Sequence, residues 1–432
     1  MSEWSEQALQ TNREMLSAWQ LERLCAMLSE VLPRNRFYRR KLGSMVRPRS
    51  LAELYAWPFT TKQELLADQQ QHPPYGSNLT YPVSRYVRVH QTSGSTAQPL
   101  RWLDTPENWE WLMHCWRWIY RIVGLRAVDR LFFPFSFGPF LGFWAAWDAA
   151  ARSGWFVLPG GGMSSVARLR TIVEHRITVL FCTPTYALHL LEVAQREGIS
   201  LSDSAVRFLI VAGEPGGSVP HLRNRIEQGW RARVFDHTGM TEIGALGIEC
   251  PENPGGVHLL ETECLAEVID PETGQHVPAG VEGELVLTNL GRWGSPLIRY
   301  RTGDRVVVDP QPCPCGRVWL RLRGGILGRL DDLIVVRGAK IYPSALDEVL
   351  RRFPELVEYR VTWRNDRGTE SFVIEVEPST HDLAQGPAAQ RWAERISQEI
   401  KSVFLVRPTI QVVSPGALPR YELKARRWRT QT

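Results

Sequence analysis

No stretch of this 432-residue sequence is long and apolar enough to read as a membrane span. The nearest approach, residues 131–147, carries no charge over 17 residues, the lower limit for a spanning helix. Pro134, Gly138 and Pro139 interrupt it and Asp148 ends it, so a buried strand, a turn and the start of a buried helix fit better. Charge of one sign is scarce as well. A formal net charge of +5 is small for this length: it hints at an anionic ligand and argues against a nucleic-acid footprint. There is no G-x-x-x-x-G-K phosphate loop, no internal repeat and no low-complexity segment. Seven cysteines, an odd number in a long chain, disfavour a disulfide framework and favour reduced thiols or a metal site. The opening M-S-E-W-S-E-Q is polar and lacks the apolar run of an export signal, so the cytoplasm is the expected compartment.

What is present is an ordinary globular composition, 44% apolar and 22% charged, in a chain too long for one core. Leu9, Leu16, Leu21, Leu24, Leu28 and Val31 carry helical spacing, and Thr61 with Glu64 three residues on predicts a capped helix start. Alternating Tyr86, Arg88 and His90 suggest a strand leading into a small-residue loop. Between residues 129 and 236, apolar runs at 131–135, 155–158, 179–182, 208–212 and 234–235 alternate with helical stretches near 141–152, 164–174, 186–197 and 219–229. That alternation predicts a mainly parallel sheet covered by helices. From residue 250 to 325 the texture becomes β-rich and glycine-punctuated, as in a packed barrel-like subdomain. After Gly328 the order strand, helix, two strands, helix, strand resembles a split β-α-β unit. The expected fold is therefore α/β: a large N-terminal domain over 1–328 and a small mobile α+β C-terminal domain over 329–432.

Four short segments carry chemistry. Thr92, Ser93, Gly94, Ser95 and Thr96 place four hydroxyls and unhindered amides in one loop suited to anionic oxygens, although Ser/Thr turns are common. F-D-H-T-G-M-T-E (235–242) follows a strand run. There Thr241 could reach a phosphate oxygen and Glu242 could hold Mg²⁺, or the two could be a capping threonine and a solvated acid. A-G-E-P-G-G (212–217) alone is a turn. In R-Y-R-T-G-D, Asp304 could accept hydrogen bonds from paired hydroxyls. Arg329 follows 25 positions later beside Asp331 and Asp332, where the composition changes.

In order, T-S-G-S-T-A-Q-P, A-G-E-P-G, H-T-G-M-T-E, R-Y-R-T-G-D, G-R-L-D-D-L-I-V-V-R-G-A-K-I-Y-P and L-P-R-Y-E-L-K resemble the motif series of the adenylate-forming enzymes: acyl-CoA synthetases, adenylation domains and luciferases. The segments F-Y-R-R-K-L, W-P-F-T-T-K-Q-E-L and C-P-C-G-R are similar to the phenylacetate–CoA ligase branch. The resemblance covers nearly the whole chain. It implies that the loop from Thr92 to Thr96 holds the ATP phosphates and that Glu214, Pro215 and Gly216 line the adenine side with Asp236 and His237. Thr241 would meet the α-phosphate and Glu242 the Mg²⁺, while Asp304 would bind both ribose hydroxyls with Arg329 nearby. Asp331 would be the hinge. Lys424 would enter the site in one domain orientation, and in the other Gly338 would leave room for a pantetheine arm. The acid would lie against Phe135, Phe137, Gly138 and Phe140, with Ala212, Gly213, Thr238 and Gly239 as floor and Ile243 nearby, a slot suited to a flat ring.

The implied reaction is ATP-dependent, AMP-forming activation of an aryl or arylacetic acid through an acyl adenylate, then thioester formation on coenzyme A. A carrier-protein thiol is the alternative acceptor, a non-catalytic nucleotide-binding protein is the rival of another class, and a homodimer stays open. Two departures stand out: relatives carry Gly-Lys where this chain has Ala97-Gln98, and Gly where it has Leu423. Arg420, Arg426 and Arg427 cannot replace the compact ammonium of Lys424, and the bland reading of that segment is a solvated basic tail. Cys250, His258, Cys313 and Cys315 make a tetrahedral structural zinc set, with Cys264 as competing fourth ligand. Cys25, Cys115 and Cys182 read as core.

Overall fold

A computed structural model of the chain describes residues 10–43, 47–92, 99–201, 204–336, 339–366, 369–421, 425 and 427–431. Two helices, Arg13–Arg34 and Arg36–Leu42, lead to the helix Lys62–Gln71. This last is closed by the expected reciprocal capping box of Thr61 and Glu64. Strands β1 (Arg88–Gln91) and β2 (Arg101–Asp104) then form an antiparallel hairpin with Arg88 opposite Asp104. Its connection is the hydroxyl-rich loop. Thr92 pins the neck, donating from its amide to the Leu100 carbonyl and accepting the Leu100 amide on its hydroxyl. Ser93, Gly94, Ser95 and Thr96 lie outside the described residues.

The helix Pro106–Val123 comes next, and the sequence reading passes over it. Thr105 caps it, Pro106 occupies its first turn and Gly124 ends it in the left-handed conformation. Trp109, Trp111, Trp116, Trp118 and Tyr120 are all buried, while Glu107, Glu110, His114, Arg117 and Arg121 recur every three or four residues along the outer face.

Strands β3 (Arg130–Phe133), β4 (Phe156–Pro159), β5 (Val179–Cys182), β6 (Phe208–Val211) and β7 (Arg233–Met240) alternate with the helices Trp144–Arg152, Ser165–Glu174, Pro184–Arg196 and Pro220–Trp230, as predicted. β8 (Gly244–Glu249) and β9 (Gly256–Leu259) extend the same sheet. After β10 (Cys264–Ile269), β11 (Glu282–Asn289) and β12 (Tyr300–Val307), β13 (Arg321–Arg323) completes it. Its order is β13-β9-β8-β7-β6-β5-β3-β4. β7 is longer than its apolar run suggests. It pairs parallel with β6 as far as Asp236 and antiparallel with β8 from His237 onward. The D-H-T-G-M motif therefore sits where the sheet changes from parallel to antiparallel, at the carboxyl end of the parallel part. β10, β11, β12 and β14 (Gly328–Arg329) form a second, antiparallel sheet in the order β10-β11-β12-β14.

The C-terminal unit has its own core, built on Leu350, Val361, Ile374, Trp392 and Ile396. It contains the hairpin β15 (Ile334–Val336) and β16 (Ala339–Ile341), the helix Pro343–Leu350, β17 (Leu356–Asp366), β18 (Thr369–Pro378), the helix Gly386–Phe404, β19 (Thr409–Val412) and β20 (Trp428–Gln431). β20 pairs parallel with β17. The terminal arginines are thus not all a solvated tail: Arg427 is largely buried and ion-paired with Glu358 at 2.6 Å. Among the described residues no helix is long and apolar enough to cross a membrane.

Candidate active site

The site collects at the carboxyl ends of the parallel strands, where ligands of open α/β sheets bind. Asp304 on β12 lies opposite Arg329 on β14, and Arg329 Nη1 donates to Asp304 Oδ1 at 3.2 Å. The same guanidinium holds Asp331 through Nε at 2.7 Å and Nη2 at 3.1 Å. Desolvation opposes the charge on Arg329, but Asp331 and Asp304 outweigh it and raise its pKa. The expected ribose carboxylate and the expected hinge residue are thereby joined by one cation.

Asp236 accepts a 2.6 Å hydrogen bond from Ser218 Oγ, and its amide donates to Glu249 at 2.8 Å. Burial, aided by the Glu249 charge, pushes its carboxyl up to about 7. Gly217 permits this approach, since a Cβ there would meet the Asp236 side chain at 2.7 Å. His237 bonds the Gly247 carbonyl through Nδ1 at 2.6 Å, and the Trp116 ring packs against it at 4.5 Å. Burial pushes its imidazole down to about 4, which keeps it neutral.

Thr241, Glu242 and Ile243 make the turn between β7 and β8. The Glu242 carboxylate is buried, and Tyr300 Oη donates to it at 3.3 Å. Ile243 belongs to the apolar core. Arg292, unread in the sequence, holds this turn. Its Nη1 donates to the carbonyls of Thr241 at 2.6 Å and Glu242 at 3.0 Å, and its Nε and Nη2 grip both oxygens of Asp104 at 2.7 Å. The partners lie 188 positions apart, and no motif spacing signals them.

Glu214 is a junction. One carboxylate oxygen accepts the Thr185 amide at 2.8 Å, and the other accepts the Ala425 amide at 3.0 Å. The C-terminal motif thus docks on the A-G-E-P-G loop. Pro215 is exposed, and Gly216 is buried where a Cβ would strike Pro184. Lys424, Arg426 and Gly338 lie outside the described residues.

After β3, the core residue Phe135 packs on Phe137 at 4.7 Å between ring centroids, and Phe137 meets Trp144 edge-on at 4.6 Å. Gly138 sits under the Phe140 ring, with its carbonyl held by Trp144 Nε1 at 3.0 Å. Ala212 and Gly213 follow β6, and Thr238 and Gly239 lie in the last part of β7. The Gln91 amide donates to the Pro139 carbonyl at 2.5 Å, which ties the phosphate-loop hairpin to this aromatic turn.

Away from the sheet ends, Cys250, His258, Cys313 and Cys315 bring their ligand atoms within 4.8 Å of one another. Cys264 is not among them; its thiol faces the Leu260 carbonyl. Cys25, Cys115 and Cys182 are buried, as read.

Residues 56–291 match the AMP-binding enzyme family, and residues 338–430 match the AMP-binding enzyme C-terminal domain. The chain belongs to the AMP-binding enzyme family. Within it, the chain falls in the phenylacetate–coenzyme A ligase branch. It is 31% identical to the phenylacetate-coenzyme A ligase of Thermus thermophilus over 95% of both chains. Identity to the Escherichia coli phenylacetate-coenzyme A ligase is 28%, over 95% of this chain and 93% of that one. Among solved structures, 2-hydroxyisobutyryl-CoA ligase in the postadenylation state with 2-HIB-AMP aligns with a TM-score of 0.92 at 28% identity, over 98% of this chain and 92% of that one. The same ligase with CoA in the thioesterification state scores 0.73, over 98% and 91%. The two units of this family member are therefore arranged more like the postadenylation state.

Proposed function

We propose that the protein activates an aromatic carboxylic acid, aryl or arylacetic, by AMP-forming reaction with ATP and then transfers the acyl group to the thiol of coenzyme A. The observation that carries this reading is that β12 brings Asp304, paired with Arg329, and Tyr300, bonded to Glu242, to the turn after β7, while Ala425 of the C-terminal motif docks on Glu214. A carboxylate approaching a polyanionic triphosphate meets like-charge repulsion, so cations and donors must be aimed at phosphorus. Asp304 takes the ribose hydroxyls, Asp236 and His237 flank the base, and Lys424 stabilises the α-phosphate charge. Glu242 suits Mg²⁺: among the described residues its buried carboxylate meets a single hydroxyl at 3.3 Å, little compensation for a desolvated anion. When bound, Mg²⁺ supplies positive charge at the phosphates.

An aromatic acid suits the aromatic cluster of Phe135, Phe137 and Trp144 on the turn after β3. The domain boundary is placed at 328/329 with Asp331 as pivot, so that rotation withdraws Lys424 and brings the segment around Gly338 to the adenylate. Support comes from the higher likeness to the postadenylation arrangement and from the separate C-terminal core.

The cysteine cluster fits a structural zinc. His258 Nδ1 bonds the Trp319 carbonyl at 3.1 Å, leaving Nε2 for a metal, and Nε2 lies 3.4 Å from Cys315 Sγ. Four protein ligands leave no open position, so the ion would staple the turn after β8 to the segment before β13.

Pyrophosphate release with benzoate, phenylacetate and 2-hydroxyisobutyrate, with and without coenzyme A, tests the reading. Aromatic acids should give the highest kcat/KM, with thioester formed only when coenzyme A is present. A preference for 2-hydroxyisobutyrate would remove the aromatic assignment, and no acid-dependent pyrophosphate would remove the reaction.

A further inference from the structure

Arg292 lies in the connection between β11 and β12 and is fully buried. Its fork takes both oxygens of Asp104 at 2.7 Å, while Nη1 takes the Thr241 and Glu242 carbonyls. Asp104 ends β2, and β2 pairs with β1 to form the hairpin whose connection is the hydroxyl-rich loop. His90 of β1 approaches the same carboxylate, Nδ1 to Oδ2 at 3.6 Å, and stacks on Trp109 at 5.4 Å. One buried cation therefore fastens two parts of the site that the chain brings from different sheets.

We propose that Arg292 is a positioning residue that holds the phosphate-loop hairpin in register with the Thr241–Glu242 turn, and so governs binding of MgATP more strongly than binding of AMP. Stability alone does not call for this arrangement. A buried ion pair is costly to desolvate, and apolar residues of similar volume often replace one without loss. What a planar, bidentate arginine adds is fixed geometry. AMP lacks the β- and γ-phosphates, so it does not engage the hairpin loop and needs only the base, ribose and α-phosphate groups. A change in register between hairpin and turn therefore falls on the triphosphate.

The inference rests on the proposed ATP-dependent reaction. Acid-dependent ATP–pyrophosphate exchange by the unaltered protein checks that reading separately: its absence sinks the reaction, whatever the variant does. In Arg292→Lys, which keeps the charge and loses the fork, the KM for MgATP in that exchange should rise ~10-fold or more, as for outer-shell groups that orient ligands. The Kd for AMP by calorimetry should rise clearly less, because AMP shares the Thr241 contact but not the hairpin loop. An unchanged KM for MgATP, or equal weakening of AMP and MgATP, overturns the proposal; the second outcome marks a merely structural residue. Since the variant can fail to fold, hydrogen exchange on the unaltered protein gives a second measure. Peptides covering 101–104 and 240–244 should open with the same free energy and gain protection together on adding MgATP. Separate opening energies, or protection of one segment alone, overturn the proposal equally.

Discussion

The two units of the chain hold their charges in different ways. In the large unit charged groups are buried and paired: Arg292 with Asp104 and Arg223 with Glu249. Two apolar clusters surround them. Among the described residues the contacts across the seam to the small unit are mostly polar, with Arg305 stacked on the Tyr342 ring at 3.5 Å. Arg420 reaches Glu192 at 3.3 Å, the Ala425 amide reaches Glu214 at 3.0 Å, Arg427 reaches Thr185 at 3.2 Å, and Ser344 reaches the Leu327 carbonyl at 2.5 Å. Among the described residues each apolar cluster stays on one side of residue 330. Individual hydrogen bonds of this kind contribute about 1 kcal/mol net and exchange readily for water, whereas apolar burial does not. Apolar burial fixes the large unit, whereas the seam contacts named here are of a kind that water can replace, as the proposed rotation requires.

The sharpest way to break this comparison is Lys424→Ala. Adenylation should fall by ~10²–10³-fold or more, the scale of losing a group aimed at developing charge. Thioester formation from a supplied acyl adenylate should change by less than ~3-fold, because the role proposed for Lys424 belongs to adenylation alone. Equal loss in both half-reactions would show that the small unit does not alternate. Stripping the Cys250 cluster with a chelator, or Cys250→Ser, acts on the other side of the comparison. It should release one zinc and lower the large unit's melting transition by roughly 5 °C, while the small unit's transition, followed separately by calorimetry, stays in place. A single shared shift would mean that the units melt as one body.

A smaller effect is expected at the seam itself. Glu214→Gln keeps the shape but weakens a charged acceptor for the Ala425 and Thr185 amides. Stopped-flow adenylation should slow by about 3–10-fold, the order of one charge-assisted hydrogen bond, with thioesterification unaffected. Slowing of both steps would place Glu214 in the large unit's own architecture instead. The smallest effect concerns pH. The Asp236 carboxyl sits at about 7 in the folded protein, above its ordinary value, so the folded state binds that proton more tightly than the unfolded chain. Its contribution to stability is therefore greatest at low pH, falls as pH rises from about 4 to about 7, and levels off above that. Asp236→Asn removes the titration, so denaturation curves should show the variant gaining on the parent across that window and nowhere else. A parallel pH dependence of the two proteins would contradict the shift.

Much of this division was legible. Val179–Cys182 and Phe208–Val211 are wholly or nearly apolar runs between helical stretches, and they are parallel strands because only a sheet covered on both faces buries such runs. Thr61 and Glu64 carry their capping box in the letters themselves. The four zinc-type ligands were legible because Cys313 and Cys315 share one tight turn, and Cys250 and His258 flank another. The helix Pro106–Val123 was legible too, since Thr105, Pro106 and Gly124 mark its ends and Glu107, Glu110, His114, Arg117 and Arg121 form its polar stripe, but its dense tryptophans drew no helical reading. The last strand, Trp428–Gln431, was hidden behind the arginines that precede it.

The sequence by itself determined the parts: which loop could wrap phosphate, which carboxylates and lysine stand in the order of this enzyme family, and where one unit gives way to the next. These are local properties, set by residue chemistry and short spacings. The tertiary structure alone decided their registration. That Arg292 meets Asp104 across 188 positions, and that Glu214 catches the amide of Ala425, depends on how packed elements deliver distant backbone to one point. No spacing rule links them, because a folded chain brings such groups together through the shape of its core and not through their separation along the sequence.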